Sequence, residues 1–118
     1  MIKFGENVIK YGHYPDGTLN IKLTQDDISS LISYSRIGWY YDSEEELIVL
    51  IYLLNALHSK NITGVGLDMP YVPNARMDRC ENVNDVFTLK YFANIINSLG
   101  FNFVRTLDTH STVTELSL

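Results

Sequence analysis

Val65-Gly66-Leu67-Asp68-Met69-Pro70-Tyr71-Val72-Pro73-Asn74-Ala75-Arg76-Met77-Asp78-Arg79 is the stretch whose reading decides the fold. Val65 to Met69 is short and mostly apolar, and reads as a buried strand. Pro70 and Pro73 each fix φ near −65° and lack an N–H, so neither strand nor helix easily continues through them. The segment is therefore a stiff loop at a strand's end, carrying two guanidinium groups and a carboxylate. In open α/β sheets, ligands bind outside the carboxyl ends of the strands. A second charged loop, Asp108-Thr109-His110-Ser111, follows the next apolar run, Phe101 to Leu107.

Outward from this stretch, helical and extended patterns alternate. Ser43 to Ser59 reads as the clearest helix, with apolar residues over much of its circumference. Ser43 and Glu46 read as a capping box, and Glu44 and Glu45 suit the positive end of the helix dipole. Burial on more than one side is expected of such a helix. A solvated helix N-terminus explains the three glutamates better than a metal site does.

Leu89, Phe92, Ala93, Ile96 and Leu99 repeat at helical spacing, so Phe87 to Leu99 reads as a second helix with Gly100 as its stop. Helix, strand, helix, strand at this spacing argues for parallel strands with helical crossovers. The expected architecture is a three-layer α/β domain spanning 1–118. Its helices lie near 44–59 and 87–99, and its parallel strands at 65–69 and 103–107.

The N-terminal third reads as extended. Ile9 and Tyr11 flank Lys10, Ile21 and Leu23 flank Lys22, and Asp16-Gly17 between them is a hairpin signal. For residues 28–42 the strand and helix readings both stand. Gly38-Trp39-Tyr40-Tyr41 reads as core or interface packing. Asp68 is unexpected in a buried strand and either reaches water or a backbone N–H, or faces the site. Residues 70–86 form a long polar loop, of which 78–86 is expected to be mobile without nucleotide.

The 118 residues are 46% hydrophobic, which fits a globular protein with a real core. A net charge of −5 does not suggest a nucleic-acid-binding face, though local arginines can still bind a small phosphate ligand. Cys80 is the only cysteine, so no internal disulfide and no cysteine zinc cluster are expected. There is no apolar stretch near the ~20 residues of a membrane span, and no secretory signal pattern. The expectation is a cytoplasmic protein.

The string Pro70-Tyr71-x-Pro73-x-Ala75-Arg76-x-Asp78-Arg79 resembles the nucleotide loop of ribose-phosphate pyrophosphokinase, usually Pro-Tyr-x-(Pro or Gly)-Tyr-Ala-Arg-Gln-Asp-(Arg or Lys). The likeness continues to Asp108-x-His110-Ser111, and more weakly back to Asp16-Gly17. It covers most of the chain but only the N-terminal half of the family's usual length. The implied fold is phosphoribosyltransferase-like, the first half of a two-domain synthetase. The implied reaction moves the β,γ-diphosphoryl group of Mg-ATP to ribose 5-phosphate, giving phosphoribosyl pyrophosphate and AMP.

By the same resemblance, Arg76, Met77, Asp78 and Arg79 belong to the ATP site. A guanidinium suits that role because it can hold two phosphate oxygens at once. His110 is implied as the catalytic and metal-associated residue at the Mg²⁺–ATP site, with Asp108 holding the loop or orienting it. Tyr14 and Asp16 are implied to meet the adenine of a neighbouring subunit, so a homo-oligomer is expected. Thr18, Asn74 and Met77 depart from the family's usual glutamate, tyrosine and glutamine. His13 and His58 are assigned no role.

The family's ribose-phosphate loop, an acidic pair followed by Thr-Gly-Gly-Thr, does not occur in this sequence, nor does its lysine-bearing catalytic loop. Ribose 5-phosphate is therefore expected as a partner only with a C-terminal domain that this chain lacks. Two rival readings stand beside this one: a non-catalytic regulatory or assembly domain of the same fold, and an unrelated nucleotide-binding α/β domain.

Overall fold

The computed structural model describes residues 1–72, 85–107 and 113–115. In chain order the elements are β1 (Ile2–Phe4), β2 (Asn7–Val8), β3 (Lys10–His13), β4 (Leu19–Lys22), α1 (Gln25–Tyr34), β5 (Arg36–Trp39), α2 (Glu45–Ser59), β6 (Gly66–Met69), α3 (Thr88–Ser98), β7 (Val104–Leu107) and β8 (Val113–Glu115). One sheet has the order β2-β1-β5-β6-β7-β8, and β3 and β4 form a separate hairpin. β5, β6 and β7 pair in parallel, joined through α2 and α3. β1 and β8 run against their neighbours, so the sheet is mixed, with four strands running one way.

The expected helices and the parallel pairing of β6 with β7 are present. The undecided segment 28–42 divides into α1 and β5. Thr24 caps α1 in a reciprocal box: its Oγ1 accepts from Asp27 N–H, and Asp27 Oδ2 accepts from Thr24 N–H. The helix ends at Ser35, in the left-handed region at φ 56°, whose N–H returns to Leu31 O. α2 differs from its expected start. Glu44, not Ser43, is the N-cap and makes no side-chain cap bond, while Glu46 accepts from Ser43 N–H. Only half of the expected box forms, because Glu46 is drawn into the core.

Alternation along the strands divides the sheet's faces. Ile37, Trp39, Leu67 and Met69 are buried on one face, where Trp39 meets Phe92 of α3 and Glu46 of α2. α2 supplies Val49, Leu50, Leu53, Leu54 and Leu57 to this core. Residues of the opposite face remain solvated: Arg36 is 51% and Arg105 40% exposed. Lys3, Gly38, Asp68 and Arg105 lie in one row across four strands.

Among the described residues this row stays partly solvated, with Arg36 and Arg105 open on it. α1 packs against the β1–β2 turn, with Glu6 N–H donating to Ser30 Oγ and Asn7 to Asp27. Gly5 in that turn has φ +58°, and an added Cβ would stand 2.7 Å from Ser30 O. A side chain there is excluded on both counts.

Asp68 resolves as an ion-pair centre on the solvated face. Arg105 Nε donates to its Oδ1 at 3.1 Å, and Arg36 Nε lies 3.5 Å from its Oδ2. The Arg105 guanidinium stacks 4.1 Å over the Phe103 ring. That ring occupies the space above Gly66, where an added Cβ would come within 2.0 Å of it.

Candidate functional site

β5, β6 and β7 end at Trp39, Met69 and Leu107, and parallel pairing brings these carboxyl ends to one edge of the sheet. The chain leaves β6 through Pro70, Tyr71 and Val72. Arg76, Met77, Asp78, Arg79 and His110 lie outside the described residues, as do Asp108 and most of the 78–86 segment.

Four aromatic rings run from the core to this edge. Phe92 and Trp39 are 5.9 Å apart, Trp39 and Tyr41 5.8 Å, and Tyr41 and Tyr71 6.2 Å between centroids. Tyr71 therefore leads into the arginine loop from a packed contact, although it is itself half exposed. Burial raises the Tyr41 hydroxyl's pKa, and the charge of Glu44 and the neighbouring Tyr71 add to the effect.

The three glutamates at the start of α2 have separate fates. Glu46 is 3% exposed, and its Oε1 accepts from Trp39 Nε1 at 3.2 Å, Asp42 N–H at 2.7 Å and Ser43 N–H at 3.3 Å. Its Oε2 meets the Met1 amine. Burial alone would raise its pKa. The amine and these donors outweigh that and hold it below the usual glutamate value. Glu45 pairs with His13 Nε2. The Glu44 carboxylate has no hydrogen-bond or ion-pair partner among the described residues, and only its carbonyl accepts, from Leu47 N–H.

The His13–Glu45 contact brings the β3–β4 hairpin to the N-terminal end of α2, near this edge. The sequence assigns His13 nothing, since nothing local to it announces a partner 32 residues away. At the hairpin tip, Tyr14 is 52% exposed. Asp16 Oδ1 accepts from both the N–H and the Oγ1 of Thr18, and these bonds lower its pKa. Asp16 thus serves the turn. The structure keeps Asp68 away from the core face, paired with Arg36 and Arg105. No group of three His, Cys, Asp or Glu side chains among the described residues could hold a metal ion.

Between the first turns of α2 and α3 lies a cleft of about 460 Å³. Tyr41, Ile48, Tyr91 and Phe92 form much of its wall, and Glu44 and Glu45 stand in its lining.

The fold and this edge define an α/β protein with loops at the carboxyl ends of parallel strands, the position used by ligand sites in such sheets. No family model matches the chain. Curated relatives do match it. The ribose-phosphate pyrophosphokinase of Clostridium tetani is 32% identical over 102 residues, covering 85% of this chain and 31% of the relative. Ribose-phosphate pyrophosphokinase 1 of Listeria monocytogenes is 27% identical over 99 residues, 84% of this chain and 31% of its own length. The Thermosipho africanus ribose-phosphate pyrophosphokinase is 27% identical over 100 residues, 85% of this chain and 31% of its own. These matches support membership of the ribose-phosphate pyrophosphokinase family for the matched residues, and the chain spans about a third of the length of these relatives.

Proposed function

We propose that this chain is the ATP-side part of a ribose-phosphate pyrophosphokinase, with a phosphoribosyltransferase-like fold. The observation that carries the reading is the string from Pro70 to Arg79 leaving the carboxyl end of β6, the central parallel strand. The complete reaction moves the β,γ-diphosphoryl group of Mg-ATP to the C1 hydroxyl of ribose 5-phosphate, releasing AMP. Arg76 and Arg79 hold phosphate oxygens, each guanidinium offering donors matched to that geometry. Met77 and Asp78 complete the loop's contact with the nucleotide. His110, with Asp108 beside it in sequence, serves the Mg-ATP end of the site.

Mg²⁺ enters as part of the nucleotide substrate and neutralises charge on the phosphoryl oxygens. Tyr14, at the exposed hairpin tip, supplies a ring for a neighbouring subunit's adenine, and Asp16 lies beside it. This sharing requires a homo-oligomer, and the expected compartment is the cytoplasm. Among the described residues no helix is long and apolar enough to cross a membrane.

A second reading, a non-catalytic regulatory or assembly domain, is favoured by one observation. Asp16 Oδ1 is already engaged twice by Thr18, at the position where the family carries glutamate. Two measurements separate the readings: titration of Mg-ATP into the chain, and AMP release with ribose 5-phosphate. The half-enzyme reading expects weak ATP binding without AMP release, since the sequence holds no acceptor cradle. Robust ribose-5-phosphate-dependent AMP release would refute it from one side. Undetectable ATP binding by a folded chain would refute it from the other, leaving the assembly reading.

A further inference from the structure

We propose that the cleft between α2 and α3 binds a small organic cation: an amine or quaternary ammonium group carried on an apolar frame. Its volume, about 460 Å³, lies within the ~300–1,000 Å³ of small-molecule sites. Phe92 is buried in its wall, while Ile48, Tyr91 and Val86 around it are 43%, 52% and 62% exposed. Large apolar side chains left open around one concavity mark a binding surface rather than an ordinary helix face.

The charge around the cleft selects the ligand. Among the described residues its lining contains two carboxylates, Glu44 and Glu45, and no Lys, Arg or His. Glu45 is met by His13, whereas the Glu44 carboxylate makes no capping bond and has no partner among the described residues. Tyr41, Tyr91 and Phe92 add aromatic rings, whose faces attract cations. The two carboxylates disfavour a phosphate-bearing ligand here. The α2 dipole accounts for acidic residues in the first turn but not for the aromatic concavity beside them.

The test titrates benzyltrimethylammonium into the full chain by ligand-observed NMR, with benzyl alcohol and phenylacetate as neutral and anionic comparators. The cation should bind saturably and about tenfold more tightly than the alcohol, and phenylacetate should bind weakest. Combined Glu44→Gln and Glu45→Gln should weaken the cation about tenfold and leave the alcohol unchanged. Tyr91→Ala, at an exposed position, should weaken both without unfolding the chain, checked by circular dichroism. Equal binding of cation and alcohol, preference for phenylacetate, no saturable cation binding by folded protein, or unchanged cation affinity in either variant overturns the proposal. An arginine-rich peptide that binds where the small cation does not also overturns it, in favour of protein docking. A failed ATP titration leaves these outcomes untouched.

Discussion

Trp39 Nε1 donates to Glu46 Oε1 at 3.2 Å within the core, tying the end of β5 to the first turn of α2. The same oxygen takes two backbone N–H groups of the connecting loop, and the other oxygen takes the Met1 amine. One carboxylate therefore closes three elements onto one another at the edge where the loops depart. It retains its charge in a buried place because four donors replace its lost hydration.

Glu46→Gln should destabilise the fold by about 2–3 kcal/mol, the scale of losing hydrogen bonds to a charged group. The folded-state pKa of Glu46 lies below its unfolded value. Its contribution is therefore full above the unfolded pKa and is lost as pH falls through the lower folded value. Urea midpoints from pH 7 to pH 3 should fall less steeply for Glu46→Gln than for wild type. Parallel curves would refute the ionised role.

Gly66→Ala should cost about 1–3 kcal/mol, because the new Cβ would lie 2.0 Å from the Phe103 ring. Removing that ring should relieve the clash. The double variant Gly66→Ala, Phe103→Ala should lose less than the sum of the singles, measured by chemical denaturation. Strict additivity would mean that the ring is not where Gly66 needs it.

Asp68→Asn should cost about 1 kcal/mol, since its two arginine partners are half exposed and such pairs are worth little each. The loss should shrink in high salt, which screens surface pairs. A loss that is large and independent of salt would place Asp68 in a buried network instead.

Arg76→Ala should weaken Mg-ATP binding by about 1.5–3 kcal/mol, roughly 10- to 150-fold in Kd, if its guanidinium holds a phosphate. His58→Ala is the control. His58 sits at the far end of α2, where its ring would lie 3.5 Å from a Cβ added at Gly100. Calorimetric titration of both variants decides the matter, and equal affinity in wild type and Arg76→Ala refutes the phosphate role.

Much of the scaffold was legible from short windows of sequence. Leu89, Phe92, Ala93 and Ile96 announce α3 by spacing alone, Asp16-Gly17 announces the hairpin, and Pro70 with Pro73 marks where β6 must stop. The arginine loop and its family likeness are equally local. α1 was the ambiguous element, although Thr24 and Asp27 carried its capping signal.

The sequence by itself determined where helices, the hairpin and the end of β6 would form, because periodicity, caps and proline act between residues a few positions apart. Only the tertiary structure decided which of three adjacent glutamates turns inward, that His13 meets Glu45, and that Asp68 sits between two arginines. It also decided that the row through Lys3, Gly38, Asp68 and Arg105 stays open to solvent. Those outcomes depend on strand order and register: Asp68 and Arg105 are 37 residues apart and become neighbours only when β6 pairs with β7. The energy of a charge is set by what is brought beside it, and no short window of sequence contains that neighbour.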